Sequence, residues 1–131
     1  MYRVREHQMS VYDFLPPYHG ELAPDNRWVR LAEALNWDQL EQEYSTHFAR
    51  GGKDAIPARV AIGSLVVRAA YHVSDKETLA LVRESPYLQY FLGLETFGDT
   101  LPFSHRSMER FRLRISEKTV RKIIRQLRTL E

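Results

Sequence analysis

Apolar residues recur three and four positions apart along most of this chain, the spacing of helices that bury one face and solvate the other. Asp25 is placed to cap a helix reaching about Asn36. In it Trp28, Leu31, Ala32 and Leu35 form one stripe, with Arg27, Arg30 and Glu33 away from it. A second helix is expected from Asp38 to Phe48, burying Leu40, Tyr44 and Phe48. Gly51-Gly52-Lys53 marks a loop, and Pro57 suits the first turn of a third helix over about 57–72. That helix is apolar nearly all round, through Val60, Ala61, Ile62, Leu65, Val66, Val67, Ala69 and Ala70. Such a helix belongs at the centre of a bundle.

Ser74-Asp75-Lys76-Glu77 is a capping box that starts the next helix, to about Glu84. Pro86 restarts a short helix through Tyr87, Leu88, Tyr90, Phe91 and Leu92, and Gly93 ends it. Residues 93–103 read as a loop. Ser104 caps a helix to about Ile115, and Ser116 caps a last one from Glu117 to the chain end. No stretch alternates with period two between turn signals. The fold class expected is all-α, a single helical domain of six or seven helices with a helix-turn-helix-like C-terminal part.

Ahead of this pattern, residues 1–24 are expected to form an irregular arm, broken by Pro16-Pro17, Gly20 and Pro24. Tyr2, Tyr12, Phe14, Leu15 and Tyr18 make it apolar enough to lie along the domain, which itself spans 25–131. At 131 residues the chain suits one domain with an adequate core. Without cysteine it has no disulfide framework, thiolate zinc site or cysteine nucleophile, which fits a cytoplasmic protein. No secretory signal opens it. The longest apolar run, Val60 to Val67, falls well short of the ~20 residues that cross a bilayer. The expectation is therefore no membrane partner.

Charge adds the first hint of a binding partner. The net charge is only +2, but residues 1–102 carry 10 basic and 14 acidic side chains, and residues 103–131 carry 9 basic and 3 acidic. An anionic partner is to be sought at this tail. On the helix from Ser104, Met108, Phe111 and Ile115 share one side and Arg106, Arg110 and Arg114 another, with Ser107 beside them and Arg112 apart. On the last helix Val120, Ile123, Ile124, Leu127 and Leu130 make the apolar stripe, opposite Lys118, Arg121, Lys122, Arg125 and Arg128. Guanidinium forks bind phosphate and guanine bidentately, so these two faces suit double-stranded DNA. Solvated basic faces are nonetheless common on helices that bind nothing.

Three tight helix junctions are available for a helix-turn-helix. The first leads into Asp75 and Glu77, and the second into a short helix without a basic residue. The third joins two basic helices, so 104–115 is taken as the DNA-reading element and 117–131 as the holder of backbone. Alternatively the helix at 104–115 is preceded by the pair 74–84 and 86–92, and the loop 93–103 then exceeds the usual three- or four-residue turn.

No catalytic constellation emerges. His7, His19, His47, His72 and His105 show no i, i+4 pairing, Gly51-Gly52-Lys53 lacks P-loop spacing, and no acidic pair demands a metal. Trp28 and Trp37 read as core anchors. The expectation is no catalytic residue, no metal ligand, no cofactor and no small-molecule substrate in this chain.

The run Ser74-Asp75-Lys76-Glu77, then Ser85-Pro86-Tyr87-Leu88-Gln89-Tyr90-Phe91-Leu92-Gly93-Leu94, then Phe103 through Ile115 closely resembles the N-terminal domain of bacterial insertion-sequence transposases of the InsH type. Asn36-Trp37-Asp38-Gln39-Leu40 resembles the same family's opening helices, and Pro57-Ala58-Arg59 its start of the long apolar helix. The likeness covers roughly residues 15–116. It implies a DDE-type DNA transposase in which this domain precedes a ribonuclease-H-like catalytic domain holding two divalent metal ions. The domain itself would recognise terminal inverted repeats or help to assemble the paired ends. The catalytic domain is expected to lie downstream, outside these residues, so the chain is not an enzyme by itself. The competing expectation is a protein-interaction module. In it the stripe Val120, Ile123, Ile124, Leu127 and Leu130 is the seam of a homodimer or docks on the catalytic domain.

Overall fold

The computed structural model describes residues 10–16, 20–46 and 56–131. Among them are seven α-helices: α1 (Arg27–Ala34), α2 (Trp37–Ser45), α3 (Ala58–Tyr71), α4 (Asp75–Glu84), α5 (Pro86–Phe91), α6 (His105–Arg114) and α7 (Glu117–Thr129). There is no strand among the described residues; the one departure from helix and loop is an isolated parallel bridge between Leu15 and Thr96. The all-α reading of the pattern is correct.

Helix α3 is the axle. Every residue from Ala58 to Val67 is buried, and α2, α4, α6 and α7 all pack on it. Helix α1 lies across α5 and α7, while α4 touches α5 and α6. Phe91 sits between the two tryptophans, its ring centroid 4.9 Å from that of Trp28 and 5.6 Å from that of Trp37. Both tryptophans are buried, and the Trp37 indole N–H donates to the Ala32 carbonyl at 2.9 Å.

The caps explain where helices begin. The Ser74–Glu77 box is present, with the Glu77 N–H donating to Ser74 Oγ at 3.1 Å and the Ser74 N–H to Glu77 Oε1 at 3.2 Å. Several boundaries differ from the sequence reading: α2 starts one residue earlier, at Trp37, and α7 ends at Thr129. Asn26, not Asp25, caps α1: its Oδ1 accepts from the N–H groups of Trp28 at 2.8 Å and Val29 at 3.4 Å. Pro57 stands at the N-cap of α3 rather than in its first turn. Helix α2 stops at Ser45, where the Ser45 and Thr46 hydroxyls donate back to the carbonyls of Gln42 and Glu43 at 2.9 and 2.7 Å, taking up acceptors at the end of the helix. The expected burial of Phe48 and the loop Gly51-Gly52-Lys53 lie outside the described residues, as do Tyr2 and Tyr18.

Two segments beside the helices are tied down by specific contacts. Val11–Asp13 form one 3-10 turn, and Val11, Phe14 and Leu22 are buried. Leu15 donates its N–H to Glu95 O at 3.0 Å and accepts from the Phe97 N–H at 2.9 Å. Tyr12 and Leu15 point outward instead, 74% and 65% exposed. The loop after α5 is held by buried Gln89, whose amide nitrogen donates to Gly98 O at 2.7 Å and whose Oε1 accepts from the Gly98 N–H at 3.0 Å.

Candidate nucleic-acid interface

Helix α6 is fixed on three sides before it offers anything to solvent. Met108 and Phe111 are completely buried and Ile115 nearly so, against α3 and α4. Arg112 makes a two-pronged contact with Asp75 at the start of α4, Nη1 to Oδ1 at 2.7 Å and Nη2 to Oδ2 at 3.1 Å. Arg68 near the end of α3 reaches the same carboxylate at 2.9 Å. Burial pushes the Asp75 carboxyl up, but the guanidinium groups of Arg112 and Arg68 outweigh it and hold the acid below its ordinary range. One carboxylate thus ties three helices together, and Arg112 is spent on it.

The cations singled out on α6 fall into two groups. Arg106 and Arg110 are exposed and share one outward face. Arg114 is half-buried at the junction with α7, its guanidinium 5.9 Å from the Tyr44 ring centroid and donating to the Tyr44 hydroxyl at 3.3 Å. Ser107 is removed from the surface: it is 4% exposed, and its hydroxyl accepts from the Ser104 N–H at 3.2 Å to close the first turn of α6. Its hydroxyl is spent on shaping the first turn of the helix.

Only Ile115 and Ser116 separate α6 from α7, both in extended conformation. This connection is shorter than the three- or four-residue turn usual in a helix-turn-helix. The Ser116 hydroxyl accepts from the Thr119 N–H at 3.1 Å. Ile123, Ile124 and Leu127 are buried, and Val120 and Leu130 are partly so, packed into the core beside α3 and α1. The far end is pinned as well: Arg27 pairs with Glu131, and Arg30 donates to the Leu130 carbonyl at 3.2 Å. Most of the apolar stripe is thus packed within the monomer, which counts against its serving as a seam for a second chain and leaves only Val120 and Leu130 partly open.

What remains of α7 is cationic and open. Lys118, Arg121, Lys122, Arg125 and Arg128 are all exposed. Lys118, Arg121, Arg125 and Arg128 line a groove of about 630 Å³ whose far wall comes from the end of α3, through Ala69 and His72. Lys122 lies on the other flank of the helix, beside Asn36, Gln39 and Glu43. Within α7, Arg121 meets Glu117 at 3.5 Å, both largely in solvent, so this pair leaves the guanidinium free to be recruited. His72, in left-handed conformation at φ 54, lets α3 stop and α4 start within three residues. Nothing in the sequence marked it as a neighbour of α7; it is read there as one of five isolated histidines.

Among the described residues no three His, Asp or Glu side chains gather as a metal site, and no helix is long and apolar enough to cross a membrane. A family model described as "Transposase domain (DUF772)" matches residues 17–114. A curated relative, "Uncharacterized protein ORF8 in nfe locus" of Rhizobium meliloti, is 26% identical over 102 residues, covering 78% of this chain and 49% of the relative. The chain thus spans about half the length of that relative. No solved structure matches.

Proposed function

Because the chain belongs to the transposase-domain family matched over residues 17–114, we propose that it is the module by which a transposase grips double-stranded DNA at the ends of its element. One observation carries the reading. Two consecutive helices bury most of their apolar residues within the monomer, Met108, Phe111, Ile123, Ile124 and Leu127 fully and Val120 and Leu130 in part, and leave cations outward, on a body that is otherwise net acidic. Helix α6, with Arg106 and Arg110, reads bases from its outward face. Helix α7 follows phosphates with Lys118, Arg121, Arg125 and Arg128 along one groove, and with Lys122 on the opposite flank. Arg114 holds the junction through Tyr44 and meets a phosphate only by swinging off that ring.

Strand cleavage and transfer belong, in this reading, to a ribonuclease-H-like domain downstream, with the divalent metal ions held there. This chain supplies recognition and orientation in cytoplasmic DNA. Domain organisation in this reading sets the segment ahead of α1 apart from a helical body of 25–131, to which Leu15 ties it through Glu95 and Phe97. Dimerisation, in this reading, uses a surface other than the largely buried α7 stripe.

The test is equilibrium binding of the full chain to a duplex carrying the element's terminal inverted repeat, against a shuffled duplex of equal length and composition. At near-physiological salt the repeat should bind more tightly by about a thousandfold or more, within the range that separates specific from non-specific sites. Equal affinity for both duplexes would leave a general DNA clamp and remove recognition of element ends.

A further inference from the structure

The outward face of α6 is not uniformly cationic. At 100° per residue, Arg106, Glu109, Arg110 and Leu113 fall on one strip, with Leu113 close to its midline, two turns beyond Arg106 and one beyond Glu109 and Arg110. All four are exposed, and Leu113 is 82% exposed, more than any other large apolar side chain described. Scattered exposed leucines are ordinary on protein surfaces. This one differs by its position, since the buried side of α6 is already filled by Met108, Phe111 and Ile115.

The composition of the strip separates it from α7. A helix that only holds backbone does best with cations and exposes no apolar side chain: the open face of α7 carries Lys118, Arg121, Arg125 and Arg128, with Glu117 beside Arg121 in its first turn. A carboxylate among them repels phosphate oxygens, and an aliphatic side chain offers phosphate nothing. Base edges in the major groove are a different target. There arginine pairs with guanine O6 and N7, a carboxylate accepts from the cytosine amino group, and an apolar side chain packs on the thymine methyl. Two guanidinium groups, a carboxylate and a leucine on one strip match that mixed set.

We infer that Leu113 is a specificity-determining residue that packs on the C5-methyl group of a thymine when α6 lies in the major groove. The inference rests on the DNA-binding reading above and deepens it: it names the base, the atom and the residue. Arg106 and Arg110 bracket the contact and set the register, while Asp75, through Arg112, keeps α6 from rolling and so keeps Leu113 outward.

The experiment selects tight binders from a pool of 20-base-pair duplexes with randomised centres, using the full wild-type chain. Each thymine of the selected sequence is then replaced singly by uracil, which deletes only the methyl group. At one position the replacement should weaken wild-type binding about fourfold, the worth of one buried methyl. Leu113→Ala should bind the thymine and uracil duplexes equally, with an unchanged salt dependence and an unchanged melting temperature, since the side chain is outside the core. Uracil tolerated at every position, or a uracil penalty that persists in Leu113→Ala, overturns the role of Leu113 and leaves the binding reading standing. A pool that shows no enrichment while the chain still binds duplex overturns sequence reading by α6 as a whole. Absence of any binding at low salt overturns the reading beneath both.

Discussion

Gly93 stands at φ +80, and a Cβ there would lie 2.7 Å from Cδ of Arg59. Arg59 is 1% exposed, donates to the Phe91 and Tyr90 carbonyls at 2.9 and 3.0 Å, and holds its guanidinium 4.6 Å from the Trp37 ring centroid. Its charge is thus dispersed over the C-terminal carbonyls of α5 and an aromatic face, which is where a helix end favours a cation. Gly93→Ala should cost about 2 kcal/mol or more, from left-handed strain plus displacement of Arg59. A urea titration checks this; a loss under about 0.5 kcal/mol would show that Arg59 yields freely. Asp75 makes a second prediction at this scale. Its folded pKa is depressed below the ordinary 3.8, so its stabilisation is complete above that value and lost as pH falls through the folded pKa. Asp75→Asn should lower the urea midpoint at neutral pH, and the two proteins should converge only as pH falls through the depressed folded pKa, where the wild-type carboxyl is also protonated. A gap that stays constant with pH would mean that packing, not charge, is lost.

Helix positions were legible because their signals are local. Ser74, Ser104 and Ser116 each precede a helix, and the apolar stripes of α1, α3, α6 and α7 follow helical spacing. What was illegible is what joins residues far apart in sequence: Arg59 to the end of α5, Arg112 to Asp75, and Gln89 to Gly98. Arg59 and Arg112 look like surface charges in a list of residues, and only the tertiary contact shows them spent. The run from Pro86 to Leu94, which carries the family resemblance most specifically, turns out to be architecture. Tyr87 accepts from the Ala23 N–H at 2.9 Å, Gln89 holds the following loop, and Tyr90, Phe91 and Leu92 are fully buried. Helix α7 gives the prediction for this scale. Leu127→Ala should cost about 2–4 kcal/mol in unfolding free energy and leave the protein at its wild-type hydrodynamic mass. A variant of unchanged stability but altered oligomeric state would revive the stripe as a seam between chains.

For the whole molecule, charge separation and packing point the same way. The acidic body holds the axle α3 and its neighbours, and the cationic excess sits on the last two helices, whose inner faces are largely packed into the core. The candidate site was half legible in the sequence. The exposed faces of α7 follow from periodicity, as do Arg106 and Arg110, whereas the burial of Ser107 was not legible, because its hydroxyl serves the turn it starts. Leu113 was passed over because an exposed leucine carries no signal until its neighbours on the strip are placed. Long-range steering should also be polar, with association slowed by added salt far more than dissociation is hastened.

The most direct measurement is the salt dependence of duplex binding by the full chain and by a variant with Arg121, Arg125 and Arg128 changed to Gln. If about six cations meet phosphates, the wild-type plot of log affinity against log salt should fall with a slope near −5. The variant should keep its melting temperature and show a slope near −2 to −3, each lost contact removing about 0.9. Equal slopes for the two proteins, or a wild-type slope near zero, would contradict DNA binding through the open face of α7.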